Sequence, residues 1–426
     1  MSQTNSIPVI LPGDLKDHRR HPGDALTARQ RLVYVLVLGT LTALGPFTID
    51  LYLPAFPSLE DDLGVGAAAI QLTLTGTTIG FGLGQLLVGP WSDRVGRRLP
   101  LILATSVHIL ASIGAALAPD ITWLAVFRVL QGFGAAAGGV VAMAMVRDLF
   151  GGKRLVTMLS RLALVNGLAP ILAPVIGSQL LLVMDWRGIF WVLAGYAAIV
   201  VVAVLSLIIE TLPPSQRRLP GHGTMRARYR ALLTDRVYVG AALVGAMSFT
   251  GLFSYLSSSS FLFQEVYGFT PQQYGLLFGI NSVGVVLGVQ TSSRLMARLS
   301  VGPQWVLVGV TSVQLAMAVT IISLDQAGAG LWGTLIPLWF YITACGFGFP
   351  AVQVLALAHH GKEAGTAASL LGALNFGLAG LISPVVGLLG VASATPMALV
   401  MGCAAAIGVF VVWAVVRPRS VPPLED

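Results

Sequence analysis

The sequence predicts an all-α membrane protein of twelve transmembrane helices arranged as two pseudo-symmetric six-helix bundles. Three observations carry this. First, 55% of the residues are hydrophobic, only 10% are charged and the mean hydropathy is +0.82, whereas about a quarter of the residues in soluble domains are charged. Second, apolar stretches long enough to cross a hydrocarbon core, for which about 20 residues are needed, recur near 32–56, 68–91, 99–118, 122–147, 155–183, 186–209, 237–263, 271–293, 302–323, 331–358, 364–390 and 393–416. Third, the longest polar interruption, roughly 210–236, divides these segments six and six. The domain plan is a cytoplasmic tail without fixed structure over 1–31, a first bundle over 32–209, a cytoplasmic linker over 210–236, a second bundle over 237–416 and a short tail over 417–426.

Internal matches agree with a duplication. Gly80 and Gly89 recur 199 residues later as Gly279 and Gly288, and Gly151, Pro174 and Gly177 recur 210 residues later as Gly361, Pro384 and Gly387. The Pro-x-x-Gly pair is the stronger signal, because proline inside a membrane helix needs neighbours that satisfy the freed backbone groups. Paired bundles around a central site are a transporter plan. Helix 2, with Gly76, Gly80, Gly82, Gly84 and Gly89, and helix 4, with Gly132 to Gly139, are rich in small residues. Such faces let membrane helices approach closely.

Charge sets the expected orientation. Basic residues fall in the N-terminal tail (Arg29, Arg31), after helix 2 (Arg94, Arg97, Arg98), after helix 4 (Arg154, Arg161), in the linker, after helix 8 (Arg294, Arg298) and in the C-terminal tail (Arg417, Arg419). The opposite connections carry Glu60, Asp61, Asp62, Asp120, Asp185, Glu265 and Asp325, with Arg187 as their only base. The positive-inside rule therefore puts both termini in the cytoplasm. The net charge of +7 is read as a topology signal and not as a nucleic-acid footprint. The N-terminal tail has no apolar core of a signal peptide. Cys345 and Cys403 lie inside predicted helices as small apolar side chains, and no metal-ligand spacing, nucleophile constellation or phosphate-binding loop is present, so the chain reads as a non-enzyme.

Asp50 is the most informative residue. It sits inside the first apolar segment, in Gly45-Pro-Phe-Thr-Ile-Asp-Leu-Tyr-Leu-Pro54, where a carboxylate costs roughly 2.5–3.5 kcal/mol to insert. Its distance from Arg31, about 28 Å at a rise of about 1.5 Å per residue, puts it in the outer half of the membrane. In helix 4, Arg128 lies in Leu124-Ala-Val-Phe-Arg-Val-Leu-Gln-Gly-Phe-Gly134. An arginine cannot be deprotonated and must face a partner or water. It can tie helix 4 to backbone carbonyls, or it can tune the Asp50 carboxyl by approaching and leaving it. His108 is a second titratable group, read as structural, and His359 and His360 as solvated.

Gly89-Pro-Trp-Ser-Asp-Arg-Val-Gly-Arg-Arg98 resembles the signature loop of the major facilitator superfamily. The resemblance implies a conformational latch made by Gly89, Asp93, Arg94, Gly96 and Arg97. In it Asp93 accepts N–H bonds at a helix N-terminus such as that of helix 11, and Arg97 pairs with Asp148. The Arg128 segment looks like the superfamily's second motif. Asn166-Gly-Leu-Ala-Pro170-Ile-Leu-Ala-Pro174-Val-Ile-Gly177 resembles the motif of its drug-exporting antiporters, with Ala173 and Ser178 replacing two glycines.

Three further segments, Ile49 to Pro57, Asp185 to Phe190 and Phe261 to Gly275, are similar to the Bcr/CflA group of drug:proton antiporters. What this implies is a multi-pass protein of a bacterial cytoplasmic membrane, acting as a monomer. It would export chloramphenicol- or bicyclomycin-type amphiphiles against protons, with no cofactor beyond the proton motive force. Asp50 and Arg128 would couple the proton. Tyr52, Gln131, Asn166, Phe253, Tyr255, Asn281, Gln353 and Asn375 are candidates for the substrate cavity. The competing reading is a major facilitator carrier of another solute, such as a metabolite or an amino-acid-derived compound.

Overall fold

The computed structural model describes residues 22–217, 225–358 and 364–421. The tail up to His21, Gly361, His359, His360 and Lys362 lie outside the described residues, and with them most of the expected loose tail, the solvated histidines and one member of the repeat; residues 22–31 of that tail carry a 3-10 turn at Pro22–Ala25 and the start of a helix at Ala28. Among the described residues, twelve helices are long and apolar enough to cross a bilayer. In the first half these are α1 (Ala28–Leu63), α2 (Ala67–Val95), α3 (Arg98–Ala116), α4 (Ile121–Leu149), α5 (Gly152–Leu180) and α6 (Trp186–Leu207). The second half has α7 (Arg236–Phe261), α8 (Pro271–Leu299), α9 (Pro303–Gln326), α10 (Gly330–Leu357), α11 (Ala364–Leu389) and α12 (Thr395–Val411). A short helix, Met225–Thr234, lies in the connection between the halves.

Several boundaries differ from the sequence expectation, those of α1 and α2 among them. α1 starts at Ala28 rather than 32, because Thr27 accepts the Gln30 N–H while the Gln30 side chain accepts the Thr27 N–H, a reciprocal capping box. Its regular helix stops at Asp50, and the chain passes through a 3-10 turn at Leu53–Ala55, where Pro54 offers no N–H, into a last helical piece, Phe56–Leu63. α2 runs to Val95 instead of 91, so Asp93 and Arg94 occupy its final turn and not a loop.

Within a bilayer, burial of apolar surface gives little drive for helix association, and close packing replaces it. α2 and α4 show how. A Cβ at Gly80 would lie 1.9 Å from the Val129 carbonyl oxygen, and one at Gly132 would lie 2.0 Å from that of Thr77, so the two backbones touch where only glycine fits. Outward-facing apolar side chains such as Leu110 (68% exposed) and Ile199 (72%) are placed for lipid.

The halves are zipped together at the end away from the termini. Gln71 on α2 donates to the Ser257 carbonyl (3.2 Å) and accepts the Gly387 N–H (2.9 Å). Thr75 donates to Gly380 O (2.7 Å), Gln272 to Ser178 O (2.8 Å) and Gln264 to Pro54 O (3.0 Å). Each joins a polar side chain of one half to the backbone of the other.

Gly132→Val is expected to lose the folded species. Overpacking costs about 1–3 kcal/mol in ordinary cores, and here the clash is with backbone that cannot yield. Size-exclusion profiles and melting curves in detergent should collapse for Gly132→Val and stay near wild type for Gly139→Ala, where a Cβ meets nothing within 4 Å.

Candidate functional site

Between the halves lies a cavity of about 740 Å3, reaching from Asp50 toward the end that carries the termini. α1 contributes Pro46, Ile49 and Asp50, and α5 contributes Asn166 and Pro170. Facing them are Phe253 and Tyr255 of α7 and Asn281 of α8. The exposed Ser160, Ala163 and Gln290 lie toward the termini end of the wall. Aromatic rings from both halves make its apolar surface. Phe81 of α2 lies 4.6 Å from Phe376 of α11, which lies 4.9 Å from Phe249 of α7, itself 5.1 Å from Phe253. Asp50 is only 4% exposed, and among the described residues no hydrogen-bond donor reaches its Oδ1.

Arg128 does not face Asp50. Fully buried, it donates to the Thr48 carbonyl (3.0 Å) and to Gln131 Oε1 (2.5 Å), and its guanidinium carbon lies 3.9 Å from the centre of the Tyr52 ring. Gln131 donates on to Ser112 (2.7 Å), and His108 bridges Ser112 (3.4 Å) and the Thr48 hydroxyl (2.9 Å), which closes a ring of polar contacts across α1, α3 and α4. The Thr48 hydroxyl donates to Leu44 O, so it accepts from His108 Nε2–H, which assigns that tautomer.

Two candidates for the cavity wall are therefore corrected. Tyr52 and Gln131 belong to this buried network and not to the cavity. Tyr52 follows Asp50 by two residues, about 200° of turn, so it projects from the other face of α1. There it packs on Phe56 and Phe190 and contacts Thr73 (3.2 Å).

In the second half, Asn281 donates to the Tyr255 hydroxyl (3.0 Å), Tyr255 stacks on Phe278 (5.6 Å), and Tyr274 contacts Ser259 (2.9 Å). Asn166, Phe253, Tyr255 and Asn281 line the main cavity. Gln353 and Asn375 do not; they line a smaller side pocket of about 260 Å3, because α10 and α11 turn these side chains toward the termini end.

The Pro170–Gly177 stretch of α5 lies on the seam between the halves. A Cβ at Gly177 would sit 1.9 Å from the Leu51 carbonyl oxygen, immediately after Asp50, and one at Gly275 of α8 would sit 2.9 Å from the Pro174 carbonyl. The helix thus touches the break in α1 on one side and the opposite half on the other.

At the termini end, Arg97 donates to Asp148 (2.8 Å), to Asp93 (2.5 Å) and to Ser92 (2.9 Å), while Thr211 donates to Asp148 (3.1 Å). Burial opposes the Arg97 charge, but the Asp148 and Asp93 carboxylates outweigh it and hold its pKa above the ordinary value. Gly96 adopts φ +107, a conformation that side chains rarely enter. Gly89 packs near Val140, and Arg94 is exposed. The start of α11, expected to receive Asp93, adjoins residues outside the described set.

Glu210, which sequence reasoning missed, accepts the N–H groups of Arg97 (2.8 Å), Arg98 (3.1 Å) and Leu212 (2.9 Å) and so caps α3. Its signal was available as an acid just past helix 6, at the basic end of the chain. Burial works against the Glu210 charge, but these N–H groups and Arg217 outweigh it and hold the carboxyl below the ordinary glutamate range. At the other end, Arg187 pairs with Asp62 (2.6 Å), which also accepts from Trp186 (3.0 Å).

Twelve apolar helices in two bundles around a central cavity define a membrane transport protein rather than an enzyme. The family model of the Major Facilitator Superfamily matches residues 38–384, and the chain belongs to that family. It is 35% identical over 395 residues to an uncharacterized MFS-type transporter, YdgK, of Bacillus subtilis, covering 92% of this chain and 98% of the relative. It is 29% identical to a bicyclomycin resistance protein homolog of Haemophilus influenzae (89% and 95% covered) and 28% identical to the multidrug resistance protein MdtL of Escherichia fergusonii (78% and 82%). Among solved structures, a bacterial homolog of the human lysosomal transporter Spinster, inward-facing and unoccupied, superposes with a TM-score of 0.70 at 14% identity, covering 93% of this chain and 100% of that one.

Glu210→Gln is expected to lower stability by about 1 kcal/mol at neutral pH, the usual worth of a helix cap, less whatever water screens from a partly exposed carboxylate. The folded pKa lies below the ordinary 4.5. The charge-dependent part is therefore complete above that value and lost as the pH falls through the folded pKa. Melting temperatures of wild type and variant should converge on acidification; a gap indifferent to pH would point to packing instead.

Proposed function

We propose that the chain is a proton-coupled exporter of amphiphilic drugs, chloramphenicol- and bicyclomycin-type compounds among them, working by alternating access in a bacterial cytoplasmic membrane with both termini in the cytoplasm. The observation that carries this reading is Asp50, a buried carboxylate with an unpartnered oxygen at the head of an aromatic-lined cavity between the two halves. The names of two relatives, a bicyclomycin resistance protein homolog and a multidrug resistance protein, and the Bcr/CflA-like segments support the substrate class.

With the far end zipped and the cavity extending toward the termini, the conformation corresponds to one loaded from the cytoplasm. An amphiphile places its apolar body among Phe81, Phe249, Phe253 and Phe376 and its polar groups near Asn166, Tyr255 and Asn281. A cavity with an apolar wall and few adaptable polar groups suits such ligands. Substrate arriving beside Asp50 competes with its proton. Rocking then parts the far-end contacts of Gln71, Gln264 and Gln272 and closes the termini end, while the Asp93–Arg97–Asp148 cluster, already made with the cavity open toward the termini, holds the ends of α2 and α4 together in the first half. Outside, a proton replaces the drug on Asp50, and its inward passage supplies roughly 2.3 kcal/mol per 100 mV of membrane potential. Arg128, tied to Thr48 two residues before Asp50, couples the buried network of α1, α3 and α4 to that change. The cavity is complete within one chain, in keeping with a monomer.

Cells expressing Asp50→Asn should fall to the resistance of the host strain toward chloramphenicol and bicyclomycin, while the variant keeps its size-exclusion profile. Saturating substrate should release protons from detergent-solubilised wild type but not from the variant. Full resistance in Asp50→Asn would remove Asp50 as the proton carrier.

A further inference from the structure

The side pocket in the second half has no part in the scheme above. Val289 and Phe349 border both it and the main cavity, so the two spaces adjoin. α7 contributes Gly245 to the lining of the side pocket, packed so closely that a Cβ there would lie 2.9 Å from Val352 Cγ1 and 3.5 Å from Asn375 Oδ1. That Asn375 oxygen is buried and has no hydrogen-bond partner among the described residues, and a buried acceptor left unmade is destabilising unless something bonds to it. The Gln353 amide lies on the same wall. None of the described residues that line the pocket is charged, so a full charge entering it would be desolvated without a counter-ion. A neutral donor satisfies the amide at no such cost.

We infer that this pocket is a subsite that takes the neutral hydrogen-bond-donating end of a substrate, a hydroxyl or amide N–H, which bonds to Asn375 while the apolar body lies against Phe349 and Phe376. The inference rests on the exporter reading and narrows its substrate class. Compounds with a neutral donor at one end use both spaces, and donor-free lipophilic cations use the main cavity alone. The side chain at position 245 sets how large the donor-bearing end can be.

The test uses purified full-length protein and two labelled probes in equilibrium binding: chloramphenicol, which carries hydroxyl and amide donors, and tetraphenylphosphonium, which carries none. Asn375→Leu removes the acceptor, and Gly245→Val fills the pocket. Each is expected to weaken chloramphenicol binding about five- to tenfold, the scale of one neutral hydrogen bond, and to leave tetraphenylphosphonium affinity unchanged, which also shows that the variant is folded. If Gly245→Val does not fold, Asn375→Leu decides alone. Unchanged chloramphenicol binding, or equal loss of both probes, overturns the subsite while leaving the exporter reading in place. A wild type that binds neither probe fails the exporter reading and the subsite with it.

Discussion

A carboxylate held at membrane depth with no partner in its own half is the constraint around which the rest of the molecule is arranged. Among the described residues the buried Arg128 does not supply one, because its guanidinium is turned toward Tyr52 and the Thr48 carbonyl. Arg128 donates from its two terminal nitrogens to the Thr48 carbonyl and Gln131, leaves its Nε–H without a partner among the described residues, and lies over the Tyr52 ring on the other face of α1. The helix break at Asp50 and the near-opposite projection of residues 50 and 52 keep acid and base apart. What faces the acid is the other half, through a cavity that holds Tyr255 and Asn281. Any change in its charge is therefore felt across the seam between the halves.

The two ends of that seam are built from different materials. Away from the termini, amide and hydroxyl side chains reach backbone carbonyls of the opposite half. Hydrogen bonds of this kind between membrane helices contribute about 0.6 kcal/mol each, enough to favour one arrangement and little enough to be exchanged for another. At the termini end, Arg97, Asp93, Asp148 and Glu210 form a charged network within the first half. It fixes the ends of α2, α4 and α6 and the start of α3 relative to one another. α5 connects the two regimes, because Gly177 rests on the carbonyl next to Asp50 while its neighbours rest on α8.

Much of the site was legible in the sequence for reasons of cost. An acid or an arginine inside an apolar segment is expensive, so Asp50 and Arg128 stood out without any structure, and the Arg97–Asp148 contact followed from a motif with fixed spacing. Tyr52, Gln131, Gln353 and Asn375 were harder. A polar residue in a membrane helix can face a cavity, a neighbouring network or a side pocket, and helical spacing gives its face only relative to its neighbours. Phe81 and Phe376 left no trace, since a phenylalanine in an apolar helix carries no signal of which way it points. Glu210 escaped because the groups it caps lie 112 and 113 positions away in the chain.

The sequence by itself determined the twelve spans, their division six and six and the presence of a buried acid, because these depend on hydrophobic length, on loop composition and on the cost of burying charge, all of which are local. Tertiary structure alone decided that Arg128 turns from Asp50 toward Tyr52, that the aromatic wall is assembled from three helices of both halves, and that a pocket opens beside Gly245. Those outcomes depend on how close two backbones come and which helix faces which, and such distances are set by packing between segments far apart in the chain.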